Sequence, residues 1–277
     1  GDPRLELPAR HLGLVQAAEL PDLEGFLERA ADLVGEKTDL DRLMRLARPF
    51  GLGLYGPSAR PLRPLGQRIA VADDVAFGFA YPATLAGWRS AGAEVLRFAP
   101  LADEAPDPGA DAVYLPGGYP ELHAGRLAAS RGFLDGLRAA AARGAFVYGE
   151  CGGFMALGRT LTDQAGEAHA MAGLLSVATS FALPRLQLGY RRLKLLEPTP
   201  LGTAGATFRG HEFHYASLVE GGDAAPLFEV ADARGRPRDR SGARLGSVAG
   251  SFLHLIDRSR EPDAGANGPR HLRLIEG

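Results

Sequence analysis

Ala145-Phe-Val-Tyr148, followed at once by Gly149-Glu150-Cys151-Gly152-Gly153, is the stretch that decides the fold. A short apolar run with no polar alternation predicts a buried strand. The glycines after it predict a sharp strand-to-helix turn with Cys151 at its tip and a helix opening near Phe154. Small neighbours suit such a turn, because the backbone is strained there and must come close to whatever the side chain attacks. A helix whose N-terminus points at the sulfur lowers the thiol pKa and favours the thiolate. The amide of Gly152 is placed to donate to an oxyanion. The plain alternative is a small buried cysteine in a glycine-rich turn; the strand before it and the glycines on both sides weigh against that.

The same alternation of strand and helix extends outward from this turn. Ile69–Ala72, Glu94–Phe98 and Asp111–Leu115 read as short apolar strands. A helix over 81–91 puts Tyr81, Leu85 and Trp88 on one face, and an alanine-rich helix covers 131–143. Short apolar strands separated by helices imply an α/β fold with a parallel sheet covered on both faces. In such sheets reactive groups gather at the carboxyl ends of the strands. Beyond residue 185 strands dominate, over 187–196, 205–209, 212–219 and 244–249.

Upstream of Arg68 the pattern differs. His11–Gln16 reads as a short buried strand, 21–34 as an amphipathic helix and 39–48 as a second helix, with Leu40, Leu43, Leu46 and Ala47 inward and Asp39 near its start. These elements are too few to close a core alone, so they are expected to pack on something else. Residues 49–67, rich in Gly and Pro, read as a linker. The chain opens Gly1-Asp2-Pro3 without a methionine and is expected to be a piece of something longer. The expected domains are 1–48, the linker 49–67, a main unit over 68–258 and a tail over 259–277.

Composition narrows the function. Over 277 residues the formal net charge is -2, which offers no electrostatic reason for nucleic acid or an anionic membrane as partner. There is no apolar run long enough for a membrane-spanning helix and no secretory leader pattern, so a cytoplasmic protein is expected. Cys151 is the only cysteine, which rules out an intramolecular disulfide.

Two further motifs bear on Cys151. Leu115-Pro-Gly-Gly-Tyr-Pro-Glu121 follows a strand, where its glycine pair can present a second backbone N–H, that of Gly118, to the same oxyanion. Gly250-Ser-Phe-Leu-His254 also follows a strand, and a cysteine nucleophile needs a base, for which histidine is the usual choice. His211 and His214, in Gly210-His-Glu-Phe-His-Tyr215, flank Glu212. Their spacing is not His-Glu-x-x-His, and a strand sends them to opposite faces, so no metal site is expected there.

Taken together, these motifs, with Ile69–Tyr81, Gly92–Leu101 and Gly189-Tyr-Arg191, resemble the cobyrinic or hydrogenobyrinic acid a,c-diamide synthase family over about residues 69–256. His11–Glu19 resembles the end of that family's ATP-dependent synthetase domain. The resemblance implies a class I glutamine amidotransferase domain of flavodoxin-like, three-layer α/β form, with a small N-terminal α/β remnant of the synthetase domain. It implies that Cys151 attacks glutamine, that His254 is the base, and that backbone N–H groups of Gly118 and Gly152 form the oxyanion hole. It implies that ammonia passes to the a and c carboxylates of a corrinoid acceptor bound by the synthetase domain. ATP and Mg²⁺ belong to that domain, so no cofactor is expected in this chain; Gly35-Glu-Lys-Thr38 lacks the glycine spacing of a phosphate loop. Oligomeric state is left open, a homodimer being one arrangement. Wider class I enzymes carry a glutamate two residues after the histidine; here that place is Ile256, which predicts a Cys-His dyad, with Glu212 or Asp257 as conceivable substitutes. Arg191 is a candidate for holding the glutamine carboxylate, since arginine suits bidentate recognition; a surface arginine on a strand is the equal alternative. Other readings are an amidotransferase with a nickel-tetrapyrrole or peptidoglycan acceptor, a cysteine hydrolase on the same fold, and a silent binding domain, the last disfavoured by retention of Cys151, His254 and both glycine turns.

Overall fold

The computed structural model describes residues 3–7, 15–48, 60–220, 222 and 224–259. The expected strand at 11–16 lies mostly outside these residues, as do most of the linker and all but the first residue of the tail.

Two helices, α1 (Leu23–Lys37) and α2 (Leu40–Leu46), form where the periodicity places them. Asp22 caps the first by accepting from the Gly25 amide, and Asp39 caps the second by accepting from the Arg42 amide at 2.8 Å. Their apolar faces are not covered as expected: neither helix buries a residue among those described, and Leu40, Leu43 and Leu46 are 48%, 56% and 66% exposed. Helical spacing identifies an apolar stripe but says nothing of what it meets. Gly35–Lys37 completes the last turn of α1, so that stretch is a helix end.

The main unit alternates β1 (Arg68–Ala72), α3 (Pro82–Ser90), β2 (Glu94–Phe98), β3 (Ala112–Leu115), α4 (Ala124–Ala129), α5 (Arg131–Ala142), β4 (Phe146–Glu150) and α6 (Gly152–Leu157). After it come β5 (Thr160–Thr162), β6 (Ala168–Ala170), β7 (Ala178–Ser180), β8 (Gln187–Leu195), β9 (Thr207–His214), β10 (Ser217–Glu220), β11 (Phe228–Asp232), β12 (Pro237–Ser241), β13 (Ala243–Leu245), β14 (Val248–Ser251) and β15 (Leu253–Arg258). Three sheets result, ordered β13-β14-β4-β3-β1-β2, β10-β7-β5-β6 and β12-β11-β8-β9-β15. In the first, every pair is parallel except β13 with β14. The third is antiparallel throughout.

Strand alternation divides the core in two. Ala70, Val113, Leu115 and Val147 face Leu127, Phe133, Leu134 and Leu137 of α4 and α5. Ile69, Val71, Tyr114 and Tyr148 face Leu85 and Trp88 of α3, and Leu193, Phe208 and Phe228 of the antiparallel sheet. The predicted three-layer sandwich is present, with one outer layer made of a helix and a sheet together. The strands expected at 205–209 and 212–219 are divided differently: β9 runs unbroken through Gly210 and ends at His214. That glycine marks a close approach, since a Cβ there would stand 2.4 Å from the carbonyl oxygen of His254 on β15.

Candidate active site

Cys151 sits between the end of β4 and the start of α6 with φ 49° and ψ −106°, a left-handed backbone rare for a residue bearing a side chain. Several contacts hold it there. Its amide donates to Ser251 O at 2.8 Å, and Gly153 N donates to Pro116 O at 3.0 Å. A Cβ on Gly153 would lie 1.9 Å from Leu115 O, so only glycine lets the helix start this close to β3. The helix begins at Gly152, two residues earlier than expected.

The second turn meets the first. The Phe79 amide donates to Gly117 O at 2.9 Å. In a planar trans peptide the N–H of Gly118 then points the other way. There, Gly118 N is 3.1 Å from the position a Cβ on Gly152 would take, so the two expected oxyanion donors share one locus. Gly118 is packed so tightly that a Cβ would fall 2.1 Å from Ala76 O.

His254 arrives from the other sheet. β14 runs parallel beside β4 with Ser251 opposite Glu150, and the chain then crosses to β15, where His254 lies opposite His211. Ser251 makes the crossing: its hydroxyl accepts from Leu253 N at 3.2 Å and donates to Leu253 O at 3.3 Å. The imidazole and Cys151 converge on Gly117, whose Cβ position would be 3.3 Å from His254 Nε2 and 3.4 Å from Cys151 Cβ. The ring stacks on His211 at 4.7 Å between centroids and 5° between planes. Tyr81 OH in turn bonds His211 Nε2.

The electrostatics describe a resting site. Burial, then the nearby Glu121 carboxylate, pushes the Cys151 thiol up to about 12 despite the Gly152 amide. The expected lowering by the helix end is therefore outweighed in the closed site. Burial, then His211 and His214, holds His254 down to about 3. Both shifts favour the uncharged thiol and the neutral imidazole.

Arg191 and Glu212 are turned toward each other. Arg191 Nη2 lies 2.7 Å from Glu212 Oε2 and its Nε donates to the same oxygen at 2.9 Å, while Nη1 donates to Tyr190 O. Glu212 Oε1 faces His214 Nε2 at 3.1 Å, and His214 stacks on Phe252. Asp257 lies 3.8 Å from Arg209. Neither Glu212 nor Asp257 is thus turned to His254. The carboxylate that does approach it is Glu150, which no motif marks as a partner of His254: its Oε2 is 3.8 Å from His254 Nδ1. The signal was available, since a charged side chain ending a fully buried strand needs a reason to be there. Among the described residues the one cluster with metal-ligating spacing is Asp163, Glu167 and His169, in the β5–β6 hairpin away from Cys151, where His169 already bonds Asp163. A cavity of about 880 Å³ on the antiparallel sheet, lined by Tyr190, Lys194, Arg209 and Ile256 among others, includes neither Cys151 nor His254.

The chain is similar to known proteins over most of its length. Residues 68–262 match the CobB/CobQ-like glutamine amidotransferase domain. The hydrogenobyrinate a,c-diamide synthase of Mesorhizobium japonicum is 53% identical over 258 residues, 93% of this chain and 58% of that protein. The protein of the same name from Brucella abortus is 54% identical over 261 residues, 94% of this chain and 59% of its own length. The chain thus spans under two thirds of the curated relatives it matches. Among solved structures, PurLQS from Thermotoga maritima superposes with a TM-score of 0.50 at 22% identity, over 68% of this chain and 87% of that one, a likeness of fold alone. No helix among the described residues is long and apolar enough to cross a membrane.

Proposed function

The chain belongs to the CobB/CobQ-like glutamine amidotransferase family, and we propose that it is the glutamine-hydrolysing part of a hydrogenobyrinate a,c-diamide synthase acting in the cytoplasm. One observation carries the reading: Cys151 stands at a left-handed elbow, with His254 on the other side of the Gly117 turn and the Gly118 amide packed against Gly152. Cys151 attacks the side-chain amide carbon of glutamine as His254 Nε2 takes the thiol proton. The N–H groups of Gly118 and Gly152 hold the oxyanion. His254 returns the proton to the departing ammonia, and water, with His254 again as base, cleaves the glutamyl thioester. Arg191 and Glu212 enter as a pair: a substrate carboxylate reaching Arg191 has to share the guanidinium with Glu212, which lowers what that contact contributes.

The relatives' names support hydrogenobyrinate as the acceptor, its a and c carboxylates taking the ammonia in the synthetase part of the full-length protein. ATP and Mg²⁺ are expected in that synthetase part, and the described residues offer no phosphate loop for them. The one phosphate-loop-like stretch is the end of α1, whose Thr38 is in extended backbone. No step of the glutaminase half passes through them.

The test is intact mass after incubation with 6-diazo-5-oxo-norleucine, a glutamine-mimicking electrophile, beside Cys151→Ser. One adduct on the native protein and none on the variant is the expected result. No adduct on the full-length protein, with Cys151 still open to iodoacetamide, overturns the glutamine reading.

A further inference from the structure

We propose that Glu150, the residue immediately before the nucleophile, is the positioning residue for His254: it orients the ring through Nδ1 and replaces the expected dyad with a triad. The inference deepens the reading of Cys151 and His254 as nucleophile and base, and rests on it.

The usual place for such a carboxylate holds Ile256, which is 41% exposed. Glu150 comes instead from the parallel sheet. It is the last residue of β4, 2% exposed. Strand alternation sends it to the face it shares with Tyr148, toward the antiparallel sheet on which His254 lies. Three donors fix it. Leu255 N and Tyr148 OH donate to Oε1 at 3.1 and 3.2 Å, and Tyr114 OH donates to Oε2 at 2.9 Å. The bond from Leu255 ties the carboxylate to the residue next to His254. Oε2 keeps capacity for a second donor and stands 3.8 Å from His254 Nδ1. That nitrogen is buried and has no hydrogen-bond partner. A buried polar atom left unmade is costly, so the empty position on Nδ1 and the spare one on Oε2 answer each other. Closing the gap takes a movement of about 1 Å, the kind of tightening catalytic contacts undergo on substrate binding.

The chemistry follows from the two ring nitrogens. With Glu150 ionised, Nδ1–H donates to Oε2, and the lone pair is left on Nε2, the nitrogen that flanks the Gly117 turn opposite Cys151. When the S–H bond breaks and Nε2–H forms, the carboxylate opposes the new imidazolium charge and takes no proton itself. With Glu150 protonated, its O–H donates to Nδ1, the ring proton sits on Nε2, and the ring cannot act as base toward sulfur. Burial pushes Glu150 up to about 7, with its three donors pulling the other way. The titratable groups facing it are Tyr114 on β3, Tyr148 on β4, His254 on β15, Cys151 at the elbow and Tyr81 before α3. Burial raises all three tyrosines, which stay neutral through this range.

The experiment is the pH profile of glutaminase turnover and of inactivation by 6-diazo-5-oxo-norleucine, on full-length protein carrying Glu150→Gln or Tyr114→Phe. Native protein should gain activity as pH rises through about 7. Glu150→Gln should lower kcat on the order of 10²- to 10⁴-fold with KM nearly unchanged, and should lose that acid limb. Tyr114→Phe removes one donor to the carboxylate, so the limb should move to higher pH while the plateau rate holds, a shift that mere support of the fold does not produce. A Glu150→Gln variant that keeps native turnover and the acid limb overturns the proposal. If that variant does not fold, the Tyr114→Phe limb decides, and an unmoved limb is equally fatal. Native protein that labels at Cys151 while Glu150→Gln labels just as fast sinks the triad alone; native protein that never labels sinks the glutaminase reading beneath it.

Discussion

The two large sheets meet at the candidate site and contribute different things to it. The parallel sheet brings Cys151, both glycine turns and Glu150, all from strand ends fixed by close backbone contacts: Cys151 N to Ser251 O, Gly153 N to Pro116 O, Phe79 N to Gly117 O. The antiparallel sheet brings His254 on a strand, held by stacking on His211 and by pairing with β9. In the proposed reaction one sheet therefore fixes where bonds would form, through backbone geometry at Gly118 and Gly153 that tolerates no added atom. The other would hold the proton carrier through side-chain packing, which gives more readily than backbone contacts do. Catalytic positions that stabilise developing charge need rigidity, whereas a base that both takes and returns a proton benefits from some adjustment.

That contrast can be broken first at the level of the fold. Phe228 belongs to the antiparallel sheet, is fully buried and packs in the core cluster shared with β1, β3 and β4. Phe228→Ala should cost about 3–5 kcal/mol of stability, read from denaturant midpoints. Because that core spans both sheets, unfolding should remain a single transition; two separate transitions would make the sheets independent units. At the rigid half, Gly118→Ala puts a methyl 2.1 Å from Ala76 O and must displace the oxyanion donor. A drop in kcat of about 10²- to 10³-fold, with Cys151 still alkylated by iodoacetamide, is expected. A smaller loss would move the oxyanion hole elsewhere. At the adjustable half, His211→Ala removes the stacked ring and the partner of Tyr81. A stacked pair contributes about 0.5–1.5 kcal/mol, so turnover should fall only about 2- to 10-fold. A loss matching that of Gly118→Ala would erase the distinction between the halves.

The parallel sheet was readable because its central strands β1, β3 and β4 are buried on both faces and stand out as apolar runs between helices, with the chemistry clustered just past their ends. The antiparallel sheet was less so. Strands expected at 205–209 and 212–219 leave Gly210 between them, yet it lies inside β9 as a contact point for β15. Leu253-His-Leu-Ile-Asp-Arg258 became a strand only through pairing with β9, a partner far away in sequence. Cys151, His254 and the two glycine turns were legible because each carries its motif locally. The approach of Glu150 to His254 was not, since it depends on the parallel register of β14 against β4 and then on a change of sheet within two residues. The apolar stripes of α1 and α2 show the opposite failure, a local pattern read correctly as helix with a burial that does not follow among the described residues.

Ser251 gives this division a mechanical meaning. Its carbonyl grips the amide of the nucleophile, its hydroxyl braces the bend that follows, and three residues later the chain delivers the imidazole. The sulfur is thus clamped to one plate and the imidazole of His254 is mounted on another, joined by a short lever braced by Ser251. Any sliding of one plate over the other is read out directly as a change in the distance a proton must travel.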